Sequence, residues 1–174
     1  MMSVGQSSEN LGVQHMMTIR TGQFGEIEVS EDTLLTFPTG LVGFPAVQQF
    51  VVLDVAEDCQ YQWFQALTEP DLAFVIIDIH LLDPEFQAEV SDEALAELEI
   101  SQTDPVLILA VVTIPSGEPE KATANLRAPL VVNLRTRKGK QVILHESLPL
   151  RFPLLMEGEA VQPEAVRTKE TASV

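Results

Sequence analysis

Few residues in this 174-residue chain are spaced for chemistry, and the clearest run is His145-Glu146-Ser147. These are the three residue types of a hydrolytic triad, in which an imidazole takes the serine proton and a carboxylate orients the imidazole. Neighbours along a strand point to opposite faces, so these side chains could not chain hydrogen bonds without a special turn. The run therefore predicts no hydrolytic site.

The remaining candidates for metal or nucleophilic chemistry are single residues. His80 follows an apolar run and has Asp78 and Asp83 nearby, but no second histidine is close in sequence, which favours a loop histidine over a metal ligand. Cys59 is the only cysteine, which excludes an internal disulfide, and no basic neighbour lowers its pKa. Phosphate-loop, dinucleotide and His-Glu-x-x-His motifs are absent. We expect no catalytic, cofactor-binding or metal-binding residue, and no enzyme.

Charge is distributed unevenly along the chain, whose net charge is −16. Residues 21–120 contain 20 Asp or Glu and no Lys or Arg, whereas Arg135, Arg137, Lys138 and Lys140 lie within six positions. An acidic field repels nucleic acid and anionic lipid and attracts a basic partner. The basic run resembles a nucleic-acid patch, but pairing with nearby acids is the favoured interpretation. The sequence predicts an electrically two-sided molecule that does not bind nucleic acid directly.

Nothing in the sequence indicates a membrane or secretory protein. The longest apolar run, residues 106–112, is far shorter than the ~20 residues of a membrane helix. Residues 1–14 carry neither a basic residue nor an apolar stretch of the length a secretory signal needs. We expect a cytoplasmic location.

The elements that would position these residues are short strands with one helix. Ser91 can cap a helix over residues 91–98, because Asp92 and Glu93 suit its first turn. Lys138-Gly139 reads as the turn of a final basic hairpin. The predicted strands are residues 17–20, 25–29, 34–37, 50–53, 61–67, 72–77, 106–114, 123–126, 130–134 and 141–144.

Strands at this spacing without strand–helix alternation predict a mostly β fold. We expect a single antiparallel β-barrel-like or sandwich domain with one short helix, spanning residues 17–156. Residues 1–16 are interpreted as a disordered extension. Residues 157–174 have no aromatic residue and four glutamates, which is typical of an acidic mobile tail.

Two aromatic groups allow a core or a binding role. Trp63 could stack on bases, but such platforms need a positive groove, so core packing is favoured. Phe44 and Pro45 form either an exposed apolar knob or a loop that closes one end of the barrel, and the sequence leaves both open.

Five motifs in order and spacing between residues 17 and 154 resemble those of the FliW family of flagellar assembly factors. They are Phe24-Gly25-Glu26-Ile27-Glu28-Val29, Phe37-Pro38-x-Gly40-Leu41-x-Gly43-Phe44, Pro70-Asp71-Leu72-Ala73-Phe74-Val75, Asn125-Leu126-Arg127-Ala128-Pro129-Leu130-Val131-Val132-Asn133 and Thr136-Arg137-Lys138-Gly139-Lys140-Gln141-Val142-Ile143-Leu144.

The resemblance implies a cytoplasmic β-barrel-like protein that binds flagellin and also binds CsrA, the translational repressor of flagellin synthesis. Export of flagellin would free the factor to capture CsrA and relieve repression. The alternatives are a chaperone-like factor that binds only flagellin, an enzyme of unrecognised type and a passive solubility protein.

Several residues are predicted to contact partners or to support the fold. Asn125 and Arg127 are expected to serve the fold, with Arg127 pairing an internal or edge carboxylate. The predicted partner-binding residues are Phe44, Pro45, Asp71, Arg137, Lys138 and Lys140.

Overall fold

The structure, a computed structural model, describes residues 14–154. The first strand begins at Met16, one residue before the predicted start of the domain. His15 is also tied to the fold, because its carbonyl accepts a hydrogen bond from the Glu31 amide at 2.8 Å. Residues 1–13, residues 155 and 156 and the predicted tail at 157–174 lie outside the described residues.

The described chain contains short strands, two α-helices and two single turns of 3₁₀ helix at Glu31–Thr33 and Pro119–Lys121. No helix between residues 14 and 154 is both long and apolar enough to cross a membrane. The strands are β1 (Met16–Thr21), β2 (Gly25–Ser30), β3 (Leu34–Thr36), β4 (Gln49–Asp54), β5 (Tyr61–Ala66), β6 (Ala73–Asp78), β7 (Val106–Thr113), β8 (Thr123–Ala124), β9 (Leu130–Asn133), β10 (Lys138–Gln141) and β11 (Phe152–Pro153), and the helices are α1 (Ile79–Leu82) and α2 (Asp92–Glu97).

Seven strands close into a barrel, which confirms the predicted mostly β fold. Their order is β3-β4-β5-β6-β7-β9-β10, and β10 returns to pair with β3. That closing pair, Lys138 with Thr36, is parallel, whereas the other barrel pairs are antiparallel. Closure removes the free strand edges that would otherwise invite pairing with other chains.

Aromatic and aliphatic side chains from all around the barrel fill its interior. Phe50 and Phe64 stack with ring centroids 4.3 Å apart, and the Phe37 ring meets both edge-on at 5.6 and 5.3 Å. Gly139 of β10 lies against Phe37, and a Cβ there would stand 2.3 Å from a ring atom. The interior therefore requires glycine at the position where β10 passes Phe37.

The opposite face of several barrel strands is also buried, under the segment that joins β6 to β7. Trp63, Val75 and Ile77 point to this outer face and pack with Leu98 from the end of α2. Trp63 is only 3% exposed, so the core position predicted for it is confirmed. Burial of both faces explains why β6 and β7 read as continuous apolar runs.

The predicted helix is confirmed with its cap. Ser91 Oγ accepts a hydrogen bond from the Ala94 amide at 3.2 Å, and α2 ends where Glu99 takes a left-handed conformation (φ 54°). A second helix, α1, was not expected, and His80 lies in it rather than in a loop. Asp78 caps α1 by accepting the His80 amide at 2.9 Å.

The strands predicted at residues 17–20 and 25–29 are also confirmed, and they form a separate two-stranded hairpin. β1 and β2 pair from Met16 with Ser30 to Thr21 with Gly25. Ile19 and Val29 pack on Val51, which lies on the outer face of β4. The hairpin turn is fastened to the β5–β6 connection, because the Gly22 amide donates to the Pro70 carbonyl at 2.8 Å.

Candidate partner-binding surfaces

The basic residues form a turn and the start of a strand, and the turn predicted at Lys138-Gly139 is wrong. The chain turns over residues 134–137, where Arg137 is left-handed (φ 58°), and Lys138 and Gly139 belong to β10. Glycine can adopt a positive φ, and it also lacks a Cβ. At Gly139 only the lack of a Cβ matters, because the Phe37 ring occupies that space. We call residues 134–140 the basic turn.

Every lysine and arginine of the basic turn is paired with a carboxylate, as the favoured interpretation of the run expected. Three of the four partners lie on residues 97–104, at and after the end of α2. Three of the pairs are partly exposed on both sides and contribute little stability each, about 0–1 kcal/mol, whereas the Asp104 side chain is only 6% exposed. The pairs are Arg135 with Asp104 at 2.8 Å, Lys138 with Glu99 at 3.0 Å, Arg137 with Asp32 at 3.4 Å, and Lys140 with Glu97.

Asn133 anchors the same contact from inside the barrel wall. Its side chain is fully buried, and Nδ2 donates to the carbonyls of Leu98 and Glu99, both at 3.1 Å. These carbonyls lie at the C-terminal end of α2, where helical groups lack intrahelical partners. Asn133 Oδ1 accepts the Arg135 amide at 3.0 Å. The helix end and the basic turn are thus tied through one amide side chain.

The electrostatic centre of this region is the pair of Asp104 and Arg135. Arg135 donates to both carboxylate oxygens of Asp104, at 2.8 and 3.1 Å, and Nη2 also reaches the Glu99 carbonyl at 2.9 Å. The Arg135 hydrogen bonds, followed by the Ser101 amide, hold the pKa of Asp104 well below its usual range. The same contact raises the pKa of Arg135. Asp104 therefore remains ionised at an acidic pH at which an ordinary aspartate would be protonated.

Phe44, Pro45 and Asp71, the other predicted partner-binding residues, lie at the opposite end of the barrel. Phe44 is half-buried and meets Phe74 edge-on with ring centroids 5.6 Å apart. Pro45 and Asp71 are exposed. The structure therefore divides the six predicted residues between two ends, and their partner contacts stay a prediction.

His145 and Ser147 are brought together, because the chain makes the special turn that the sequence argument required for such a contact. A turn after β10 places His145 Nδ1 2.9 Å from Ser147 Oγ, and the Ser147 amide donates to the same nitrogen at 3.1 Å. Glu146 is held elsewhere, through its carbonyl, by Arg127 at 2.6 Å. Both side chains of the pair are exposed, whereas catalytic groups gain their strength in water-excluded sites.

The other chemical candidates stand alone. His80 Nδ1 lies 3.3 Å from Asp78 Oδ1. Within residues 14–154, no three His, Cys, Asp or Glu side chains are grouped so that they could hold a metal ion. Burial raises the pKa of Tyr61, and the electrostatic effect of Cys59, a free and half-buried cysteine, raises it further.

Arg127 supports the fold, but its predicted carboxylate partner is wrong. Its guanidinium donates to two backbone carbonyls, those of Leu148 at 2.9 Å and Glu146 at 2.6 Å. Asn125 stabilises the bend at residues 126–128 by accepting hydrogen bonds from the amides of Arg127 and Ala128. The sequence does not show whether the partner of an arginine is charged, because backbone carbonyls and carboxylates can both accept its hydrogen bonds.

Sequence reasoning missed an apolar surface next to the β3–β4 loop. Val42 is 54% exposed and Ile143 is 65% exposed. The available signal was the absence of charge, since residues 33–53 contain no Asp, Glu, Lys or Arg in a chain otherwise rich in acids.

These observations define the class of domain to which the chain belongs. It is a small closed β-barrel that presents a charge-paired acidic end and an apolar, uncharged surface. Over the described part of the chain it assembles no metal-ligand cluster.

Comparison with known proteins places the chain within that class. A family model described as FliW protein matches residues 18–154. The flagellar assembly factor FliW of Thermosipho africanus (strain TCF52B) is 39% identical over 122 residues, 70% of this chain and 84% of that protein. The flagellar assembly factor FliW of Bdellovibrio bacteriovorus is 33% identical over 160 residues, 90% of this chain and 91% of that protein.

A solved structure agrees with the sequence relatives. The crystal structure of a flagellar assembly factor FliW matches with a TM-score of 0.71 and 31% identity, over 79% of this chain and 96% of that chain. The chain belongs to the FliW family.

Proposed function

We propose that this protein is a cytoplasmic flagellar assembly factor that binds flagellin and antagonises the translational repressor CsrA, thereby relieving repression of flagellin synthesis. Membership of the FliW family carries the proposal, because relatives that share most of this chain are named flagellar assembly factors. Flagellin export would then free the protein to capture CsrA.

The acidic end of the barrel supports binding to a basic regulator. The 55–60 connection and α1 leave the same end, because Tyr61 pairs with Ile77. Exposed carboxylates crowd there and along the following segment, and they outnumber the four basic residues of the basic turn, which lie at the same end and are already paired. A field of one sign accelerates association with a partner of opposite sign. The exposed carboxylates are Glu57, Asp58, Asp83, Glu85, Glu89, Asp92 and Glu93.

Calorimetric titration with CsrA and, separately, with flagellin of the same organism tests the proposal. We expect binding to both, with flagellin displacing CsrA from a preformed complex. Binding to neither would overturn it, and binding to flagellin alone would leave the chaperone-like alternative without CsrA regulation.

Repeating the CsrA titration at about 0.05 and 0.5 M salt shows how the complex forms. Mimicry of RNA by acidic side chains predicts a steep loss of affinity with salt, since phosphate-like contacts release counterions. Binding away from the RNA site predicts a milder salt effect and incomplete RNA competition. Glu85→Lys with Glu89→Lys should weaken CsrA binding, whereas Glu28→Lys, on the N-terminal hairpin, is the matched control.

The enzyme alternative would use His145 or His80, and the structure places Ser147 beside the first of them. Replacing Ser147 with Ala removes the hydroxyl that lies 2.9 Å from the imidazole. Full retention of flagellin and CsrA binding and of motility in the Ser147→Ala, His145→Ala and His80→Ala strains would remove this alternative. Loss of motility with both bindings intact would favour it.

A further inference from the structure

One long segment covers the outer face of the barrel without joining its sheet. We call residues 84–104, between α1 and β7, the strap. Within residues 14–154, every main-chain hydrogen bond of the strap ends on residues 83–104, such as that from the Ile100 amide to the Leu95 carbonyl at 2.9 Å. Pro84 and Pro105, which lack an amide N–H, separate the strap from α1 and β7. The strap can therefore leave the barrel without breaking a hydrogen bond between strands.

The polar contacts that hold the strap on the barrel come from one short stretch of the described chain, residues 133–140. Asn133 Nδ2 donates to the carbonyls of Leu98 and Glu99. The Arg135 guanidinium donates to both carboxylate oxygens of Asp104. We call these contacts the latch, and its other members are Thr136 with the Leu98 carbonyl at 3.4 Å, Lys138 with Glu99 at 3.0 Å, and Lys140 with Glu97.

Apolar side chains attach the strap to the outer face of the barrel. Phe86 and Leu98 of the strap are 8% and 1% exposed. They belong to one apolar cluster with Trp63 of β5 and Ile77 of β6. The strap therefore covers a face of the barrel that water would otherwise reach.

The strap has little structure of its own to keep it in place. It contains seven Asp or Glu and no Lys or Arg, and these like charges repel one another. Its helix α2 has six residues, whereas an isolated helix shorter than about 12–15 residues is marginal in water. The strap keeps its structure through the latch and the apolar contact, which makes it the first part of the fold expected to open.

We propose that the strap opens and closes as one unit while the barrel stays folded, and that the latch controls how often it opens. Opening uncovers the apolar face that contains Trp63 and Ile77, and it takes the carboxylate partners away from Arg135, Lys138 and Lys140. The closed form thus conceals three cations and an apolar face together, and the open form presents both. The device belongs to the free protein and does not depend on flagellin or CsrA.

Hydrogen exchange of the free protein in low concentrations of urea tests the separate opening. The amides of Leu95, Leu98 and Ile100 donate within the strap, so they exchange when it opens. We expect one common opening for these three amides, with protection at least about 100-fold below that of the β5 amides.

A substitution inside the barrel shows whether the strap opens without it. Val132 is fully buried in the barrel interior, away from the strap. Val132→Ala should accelerate exchange in β5 at least about tenfold, because it destabilises the barrel relative to the unfolded chain. It should leave the strap amides unchanged, since the barrel is folded in both the closed and the open form. Acceleration of the strap amides by the same factor would overturn the inference.

A substitution in the latch tests what controls the opening. Lys138→Gln with Lys140→Gln removes two ion pairs of the closed form and should accelerate all three strap amides roughly five-fold. Lys121→Gln is the matched control, because its pair with Glu118 lies outside the strap and the latch, and it should leave the strap amides unchanged. Wild-type strap rates in the latch variant would show fraying of α2 alone and overturn the role of the latch.

Thiol labelling tests whether opening exposes the face beneath the strap. Ile76 and Ile77 are adjacent on β6, 0% and 1% exposed, and face the barrel interior and the strap side respectively. In a Cys59→Ser background, which removes the only native thiol, Ile77→Cys should react with iodoacetamide at least about 100-fold faster than Ile76→Cys. Equal labelling rates would overturn the inference. Thermal unfolding checks that both variants are folded, and the exchange of Val132→Ala decides the inference if either is not.

Discussion

Long connections are held in place at both ends of the barrel, but the interactions that hold them differ. At the acidic end, the segment after α2 is held by ion pairs to the basic turn and by the buried amide of Asn133. At the other end, the β3–β4 loop is held by backbone hydrogen bonds, by Gln141 and by the contact between Phe44 and Phe74. Salt and pH should therefore act on the first end and leave the second unchanged.

The largest effect is expected from Gly40→Ala, which disrupts the β3–β4 loop at the end of the barrel opposite the acidic end. Gly40 has φ +63°, and a Cβ there would lie 2.4 Å from the Phe44 carbonyl oxygen, which belongs to backbone that cannot move aside. We expect a loss of about 3 kcal/mol in the free energy of unfolding by urea. Gly43→Ala is the control, because φ is +87° but no atom lies within 4 Å, and it should cost about 1 kcal/mol. Equal losses would contradict the close approach at Gly40.

Asn133→Ala should have the next largest effect, at the acidic end. It removes donors from the carbonyls of Leu98 and Glu99 and leaves a void in a fully buried position. We expect a loss of about 2 kcal/mol, with faster amide exchange in α2 than in β5. Gln48→Ala, which removes one exposed hydrogen bond to the Pro38 carbonyl at the other end, should cost less than about 1 kcal/mol.

Acid should weaken the charged end through Asp104. Its pKa is lowered in the folded state by Arg135 and the Ser101 amide, so its contribution is complete above the unfolded pKa and is lost as pH falls below about 4. Urea unfolding from pH 6 to pH 2.5 should show a smaller loss of stability for Asp104→Asn than for wild type. Gln48→Ala should keep the wild-type dependence. If the free energy of unfolding of Asp104→Asn fell with pH as steeply as that of wild type, this linkage would be excluded.

The smallest expected effect comes from the lysines of the basic turn. Lys138→Gln with Lys140→Gln removes two partly exposed ion pairs and should cost about 1 kcal/mol at low salt, a difference that disappears near 1 M salt. The swap of Lys140→Glu with Glu97→Lys should restore part of the stability lost in Lys140→Glu. Arg20→Gln, whose pair with Glu26 is more exposed, is a control that should change almost nothing. A cost that persists at high salt would place the effect in packing rather than in charge.

The sequence by itself determined the features that depend on neighbours along the chain. Alternation located the β1–β2 hairpin, Ser91 marked the start of α2, and continuous apolar runs located β6 and β7, whose two faces are both buried. The five motifs indicated the family. Local periodicity and capping suffice for such features, because each depends on hydrogen bonds or burial within a few residues.

Only the tertiary structure decided the contacts between distant segments. It closed the barrel by pairing Lys138 with Thr36, and it used Gly139 to admit the Phe37 ring rather than to form a turn. It also placed Val42 against Gln141, 99 positions away. Barrel closure and packing choose such partners, and sequence spacing carries little information about them. For that reason the sequence predicted the strands and the family, whereas the contact between Val42 and Gln141 emerged only when the barrel closed.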